Sequence, residues 1–158
     1  MILLIRHSLA EDFASSDFER RLTRRGVKRA FRFFEVISKM YPEIDYIISS
    51  EALRAKQTAE VMKKFYENAR FITTPKLYQA SIEDFKEVLK DINGKIAIVG
   101  HEPDLSEFAK FLLVSPNLHI KLSKPSLMEI DEDVLKNLYQ YKQIKAVYEN
   151  FVKFKGVK

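Results

Sequence analysis

Ile2-Leu3-Leu4-Ile5-Arg6-His7-Ser8 stands at the start of the chain: four apolar residues in a row, ended by a guanidinium and an imidazole. A continuous apolar run of this length reads as a strand buried on both faces, the kind found inside a parallel sheet. The same design returns at Ile96-Ala97-Ile98-Val99-Gly100-His101-Glu102. A third run, Tyr46-Ile47-Ile48, leads into Ser49-Ser50 and then Arg54. Phe71–Thr73 is a weaker strand signal.

Helical spacing fills the intervals. Val27, Ala30, Phe31, Phe34, Ile37 and Tyr41 recur with a helical period, with Thr23 placed as an N-cap and Pro42 as a stop. Ala52, Ala55, Ala59, Met62 and Phe65 predict a second helix. Ile82, Phe85, Leu89 and Ile92 predict a third, closed by Asn93-Gly94. Leu105, Phe108, Ala109 and Leu112 predict a fourth, opened by Pro103-Asp104. Strand and helix therefore alternate four times. That order predicts an α/β fold, a mostly parallel central sheet with helices on both faces.

After Pro116 the pattern changes. Leu118–Leu122 and Leu127–Ile130 read as a short hairpin at a sheet edge, and 134–158 reads as a packed, Lys-rich closing helix. With 158 residues and no linker or repeat, a single domain over 1–158 is expected.

Composition narrows the function classes. There is no Cys, which removes disulfides, thiolate metal sites and cysteine nucleophiles. No apolar run approaches a membrane span, and Arg6-His7 interrupts the only N-terminal candidate for a signal segment. A cytoplasmic, soluble protein with no membrane partner is the expectation. There is no Gly-x-x-x-x-Gly-Lys phosphate loop and no Gly-x-Ser-x-Gly elbow. The formal net charge of +5 fits either a Lys-rich solvated surface or an anionic ligand.

In open α/β sheets, ligands bind beyond the carboxyl ends of the strands. Three predicted strands deliver Arg6, His7, Arg54 and His101 to that one edge. Two guanidinium forks match phosphate oxygens. A neutral imidazole with a free ring nitrogen can attack phosphorus, and neighbouring Arg charges favour that neutral form. The same charges would stabilise the transferring group without a metal ion. The sequence offers no metal cluster and requires no cofactor, the only other His being His119.

At these residues the chain resembles the histidine phosphatase superfamily, with its phosphoglycerate-mutase-like fold, and in particular its compact SixA-type phosphohistidine phosphatase branch. The resemblance rests on Leu4–Ser8, Leu22–Gly26, Ser49–Ala59 and Val99–Ser106, in that order along the chain. It implies that His7 is the phosphorylated nucleophile and that Arg6, Arg54 and His101 surround the phosphate. Ser8, which stands where the superfamily usually has Gly, and Glu102 are further substrate-binding candidates. Mutases and sugar phosphatases of the superfamily carry a general-acid Glu shortly before the third helix. Here that place falls to Gln79, and the nearest carboxylate, Glu83, is the candidate acid.

The resemblance and the missing acid imply a metal-independent phosphatase acting on phosphohistidine, because a P–N bond needs less acid assistance than an ester. The stretch between Arg54 and His101 is filled by predicted helices and strands, which leaves no room for a capping domain and suits phosphate presented on a protein surface. Two alternatives stand beside this reading. One is a broad phosphomonoesterase acting on small phosphate esters. The other is a non-catalytic phosphate- or nucleic-acid-binding module using the basic C-terminal segment. No RNA-binding or zinc motif supports nucleic acid, and the Phe-rich helices leave the oligomeric state open.

Overall fold

The computed structural model describes residues 1–154. Six strands form one sheet: β1 (Ile2–Arg6), β2 (Tyr46–Ser50), β3 (Arg70–Thr74), β4 (Ile96–Gly100), β5 (Ser126–Asp131) and β6 (Val134–Gln140). Their order across the sheet is β3-β2-β4-β1-β5-β6. The first four strands run parallel, while β5 and β6 are antiparallel additions at one side. Five α-helices, α1 (Arg24–Met40), α2 (Leu53–Lys63), α3 (Ile82–Leu89), α4 (Asp104–Leu112) and α5 (Tyr141–Phe154), and two single-turn 3-10 helices, Asp17–Glu19 and Pro75–Leu77, complete the described residues.

The two-residue period of the strands divides the core into two layers. Leu3, Ile5, Ile47, Ala97, Val99 and Leu127 face α1, α2 and α5, packing with Phe33, Phe34, Ile37 and Met62. Leu4, Ile48, Ile98 and Met128 face the other way, onto Phe85 of α3 and Phe108 of α4. Each fully buried side chain of this size contributes about 1.5–3 kcal/mol of transfer free energy. Covered on both faces, the central strands need no polar alternation, which is why they are continuous apolar runs.

Thr23 caps α1 as expected, its Oγ1 accepting the Gly26 N–H at 2.9 Å. Gly26 is dictated by contact, since a Cβ there would lie 2.0 Å from the Leu9 carbonyl oxygen. The first turn of α1 is thereby pressed against the chain leaving β1.

The end of the chain corrects two expectations. Leu118–Leu122 is irregular, not a strand. Its apolar alternation arises because Leu122 is buried and Ile120 packs against the same core layer. The backbone there is satisfied by side chains instead of a ladder, with Arg6 bonding the Leu122 carbonyl and Gln140 that of Lys121. The hairpin instead joins β5 to β6, so 134–140 is a strand and only 141–154 is helical. Its turn, Glu132-Asp133, has positive φ at both residues (50° and 60°). That is the conformation of a tight two-residue hairpin, reached without the Gly that usually advertises it. Residues 155–158 of the expected closing helix lie outside the described residues. No helix among the described residues is long and apolar enough to cross a membrane.

Candidate active site

Register places the site. Arg6 of β1 lies beside Gly100 of β4, and Ser49 of β2 beside Val99. The next residues along, His7, Ser50 and His101, therefore emerge together at the carboxyl edge. The two imidazole centroids are 5.3 Å apart, and the His7 N–H donates to the Gly100 carbonyl at 3.1 Å. Arg54 arrives from the first turn of α2.

The hydrogen bonds fix the His7 tautomer. Nδ1–H donates to the Ser8 carbonyl at 2.6 Å. Nε2 then carries the lone pair, and Arg54 Nε–H donates to it at 3.3 Å. His7 is held neutral far below its ordinary range, chiefly by burial, with the charges of His101, Arg54 and Lys124 adding to this and the Ser8 carbonyl opposing it. His101 is pushed down to about 4, by burial first and by Arg54 next. Its Nε2 pairs with Ser50 Oγ at 2.9 Å.

Arg54 is clamped on its outer side. Nη1 donates to the Asp17 carbonyl at 2.7 Å and Nη2 to the Asp17 carboxylate at 3.1 Å. The same carboxylate takes the Tyr78 hydroxyl at 2.6 Å and Arg20 at 2.8 Å. Those hydrogen bonds hold Asp17 well below the usual carboxylate range. Lys124, in the loop before β5, joins the group. Burial lowers its ammonium, followed by the charges of Arg6, Arg20 and Arg54.

Among the described residues, three buried side-chain atoms have no hydrogen-bond partner: Arg6 Nε, His101 Nδ1 and Ser126 Oγ. Ser126 sits opposite Arg6 in the sheet register. All three orphans therefore lie at this one edge. Buried polar atoms are almost always paired, so such a cluster marks where a ligand's polar atoms belong. Next to it opens a cavity of about 420 Å³, lined by Asp17, Arg54, Tyr78, Gln79, His101 and Asp104 among others; of the three orphan-bearing residues, His101 lines it. A larger depression, about 800 Å³, lies at the opposite edge of β2 and β3 around Asp45 and Arg70, and none of the orphan atoms belongs to it.

Arg6, His7, Arg54 and His101 thus come together as expected. Ser8 does not line the cavity. It is fully buried, its hydroxyl donating to the Gly26 carbonyl at 2.7 Å and its N–H to Thr58 Oγ1 at 3.0 Å. Ser8 serves instead through its carbonyl, which sets the His7 tautomer. Glu102 lines the cavity, but its carboxylate is taken up by the Ser106 N–H at 3.0 Å and the Ser106 hydroxyl, in the first turn of α4. Glu83 is exposed on α3, paired with Lys86 at 3.0 Å, and is not part of the cavity lining. Gln79 does line the cavity, with a φ of 54°. Asp17, Tyr78, Lys124 and Ser126 were not legible in the sequence. Asp17 opens a single-turn 3-10 helix, Tyr78 and Lys124 sit in bends, and none belongs to a local motif. Among the described residues no three His, Cys, Asp or Glu gather as a metal-holding group.

A six-stranded mixed sheet flanked by helices, with two His and two Arg at its carboxyl edge, defines a phosphoglycerate-mutase-like α/β protein. Residues 2–102 match the family model for the histidine phosphatase superfamily (branch 1), and the chain belongs to that superfamily. An uncharacterised protein of Picosynechococcus sp. is 27% identical over 139 residues, 80% of this chain and 82% of that protein. A solved structure assigned as the phosphohistidine phosphatase SixA of Agrobacterium tumefaciens superposes with a TM-score of 0.77 at 20% identity, over 87% of this chain and 95% of that one. The protein histidine phosphatase SixA in complex with tungstate gives 0.75 at 17% identity, over 90% and 98%. The alpha-ribazole phosphatase of Shigella flexneri gives 0.70 at 18%, over 89% and 96%.

Proposed function

We propose that the protein is a phosphatase that works through a phospho-His7 intermediate and acts on phosphohistidine in proteins. The observation that carries this reading is the state of His7: buried, neutral, its proton tied to Ser8 and its Nε2 lone pair directed at Arg54. That nitrogen attacks phosphorus as the P–N bond of the substrate breaks and the substrate's imidazole departs. As the lone pair becomes a P–N bond, Arg54 Nε–H is released to a phosphoryl oxygen. Arg6 Nε and His101 Nδ1, unpartnered in the fold, receive the others. These fixed donors act where charge gathers in the transition state, without reorganising. The second step is attack of water on phospho-His7, which breaks its P–N bond, releases inorganic phosphate and returns the neutral imidazole.

The substrate class follows from the leaving group. An alkoxide must be protonated as it departs. A phosphoimidazole already protonated on its other nitrogen leaves as neutral imidazole. Gln79, to which the resemblance assigns the general-acid position, lines the cavity and carries no acidic proton. The tungstate complex of a SixA protein and the similar fold of an alpha-ribazole phosphatase agree with oxyanion chemistry while naming different substrates.

The ester reading has one observation in its favour. Asp104 lines the cavity, and burial raises its carboxyl above the usual range. Steady-state kinetics without added metal, on a phosphohistidine peptide and on an aryl phosphate, separate the two readings. A large preference in kcat/KM for the phosphohistidine peptide, abolished in His7→Ala, is expected. Equal or better use of the aryl ester, with loss of that activity in Asp104→Asn, would establish a phosphomonoesterase instead.

A further inference from the structure

Between Glu19 and Glu35 the sequence carries seven Arg or Lys and no acid. Five of these, Arg24, Arg25, Lys28, Arg29 and Arg32, fall on α1, whose first turn has no acidic residue. The N-terminus of a helix is where positive charge is least favoured, so folding does not call for Arg24 and Arg25 there. Some lysines elsewhere pair with acids, as in Lys76–Glu87, Lys95–Glu43 and Lys110–Glu107, and within the groove Lys145 of α5 pairs with Glu149 at 3.7 Å. Among the described residues none of the five α1 cations forms an ion pair.

Two of them are held by contacts. Helix α5 lays Tyr141 under Arg29 (4.3 Å to the ring centroid) and Tyr148 beside Arg32 (5.7 Å). A groove of about 110 Å³ runs between the two helices, lined by Arg25, Lys28, Arg29, Arg32, Tyr141 and Lys145. One residue, Lys124, links it to the site. Arg29 Nη1 donates to the Lys124 carbonyl at 3.2 Å, and the Lys124 ammonium feels the charges of Arg6, Arg20 and Arg54. An unbalanced cationic surface thus begins at the phosphate pocket and extends along α1.

We propose that the α1–α5 groove docks an acidic segment of the phosphoprotein whose phosphohistidine enters the site. The proposal rests on the phosphohistidine reading and narrows it to acidic protein substrates. A groove of this size takes carboxylate side chains, and guanidinium forks match them in pairs. Base stacking, which nucleic-acid surfaces use, has no free ring here, because Tyr141 is buried beneath Arg29.

Two phosphohistidine peptides test it, one flanked by Glu and one by Gln at the same positions, with free phosphohistidine as a third substrate. The variant carries Arg25→Gln, Lys28→Gln and Arg32→Gln, none of which touches the phosphate pocket. Wild type is expected to favour the Glu peptide by about tenfold in kcat/KM at low salt, and the preference should fade as salt screens it. The variant should lose the preference and keep turnover of free phosphohistidine within about twofold. Equal use of both peptides by wild type, or a preference that survives in the variant, overturns the docking proposal. So does binding of a single-stranded oligonucleotide that exceeds binding of the Glu peptide and disappears in the variant. Failure of wild type on free phosphohistidine and both peptides would instead overturn the phosphatase reading.

Discussion

Arg54 Nε lies 3.3 Å from His7 Nε2, while the Nη atoms of the same guanidinium are bound by Asp17. One planar group thus holds the nucleophile's lone pair in line and is itself held in plane from behind. Lys has a single charged centre and cannot reproduce three directed donors. Arg54→Lys should therefore lower kcat/KM by roughly 10²–10³, close to the loss in Arg54→Ala. Near-normal kcat/KM in the Lys variant would show that charge alone suffices.

Asp17 competes for the cation that phosphate needs. In Asp17→Asn the main-chain bond to Arg54 Nη1 remains, so the guanidinium stays placed while its negative neighbour is removed. Inorganic phosphate should inhibit this variant at roughly 3–10-fold lower concentration than wild type. Weaker inhibition would mean that the carboxylate chiefly orients Arg54.

Gly26→Ala reverses the usual sign of a helix substitution. Ala normally gains about 1 kcal/mol over Gly inside a helix. Here the added Cβ meets the Leu9 main chain at 2.0 Å, and a backbone atom cannot swing aside. A net loss of about 2 kcal/mol or more is expected in urea unfolding. Activity should fall with it, because Gly26 also accepts the Ser8 hydroxyl and Ser8 sets the His7 tautomer.

Stability should depend on pH through the two buried histidines. His101 titrates near 4 in the folded protein, and His7 is depressed as well. In the unfolded chain both titrate near 6.5. Between those values the unfolded state binds protons that the fold refuses, so stability is complete above about pH 6.5 and is lost as pH falls toward 4. His101 alone accounts for on the order of 3 kcal/mol of that loss. Urea midpoints measured from pH 7 to 4.5 without phosphate should fall, and less steeply in His101→Asn. An unchanged slope in that variant would contradict the assignment.

The sequence was legible where burial is two-sided. β1, β2 and β4 are buried on both faces, so each is an uninterrupted apolar run, and the residue after each run marks the sheet edge. Arg6, His7 and His101 follow from that rule, and Arg54 follows from the helix that β2 feeds. β6 escaped because Val134–Gln140 is a half-exposed edge strand with no clean alternation. Its Glu132-Asp133 turn also lacks the Gly that would announce it. Leu118–Leu122 misled because alternate burial needs only a core layer beneath it, not a neighbouring strand. Asp17, from a single-turn 3-10 helix, and Tyr78 and Lys124, from bends, converge only through tertiary packing, and Ser126 is one polar residue at the start of an otherwise ordinary strand.

The central claim is that His7 carries the phosphoryl group. Rapid quenching of the enzyme during turnover of a phosphohistidine peptide, followed by mass spectrometry of the digested chain, tests it most directly. The account expects an acid-labile, base-stable phosphate on the peptide containing His7, absent from His7→Ala and accumulating where the hydrolytic step is slow. Wild-type turnover with no phosphate on His7 at any quench time, together with an active His7→Ala variant, would contradict it.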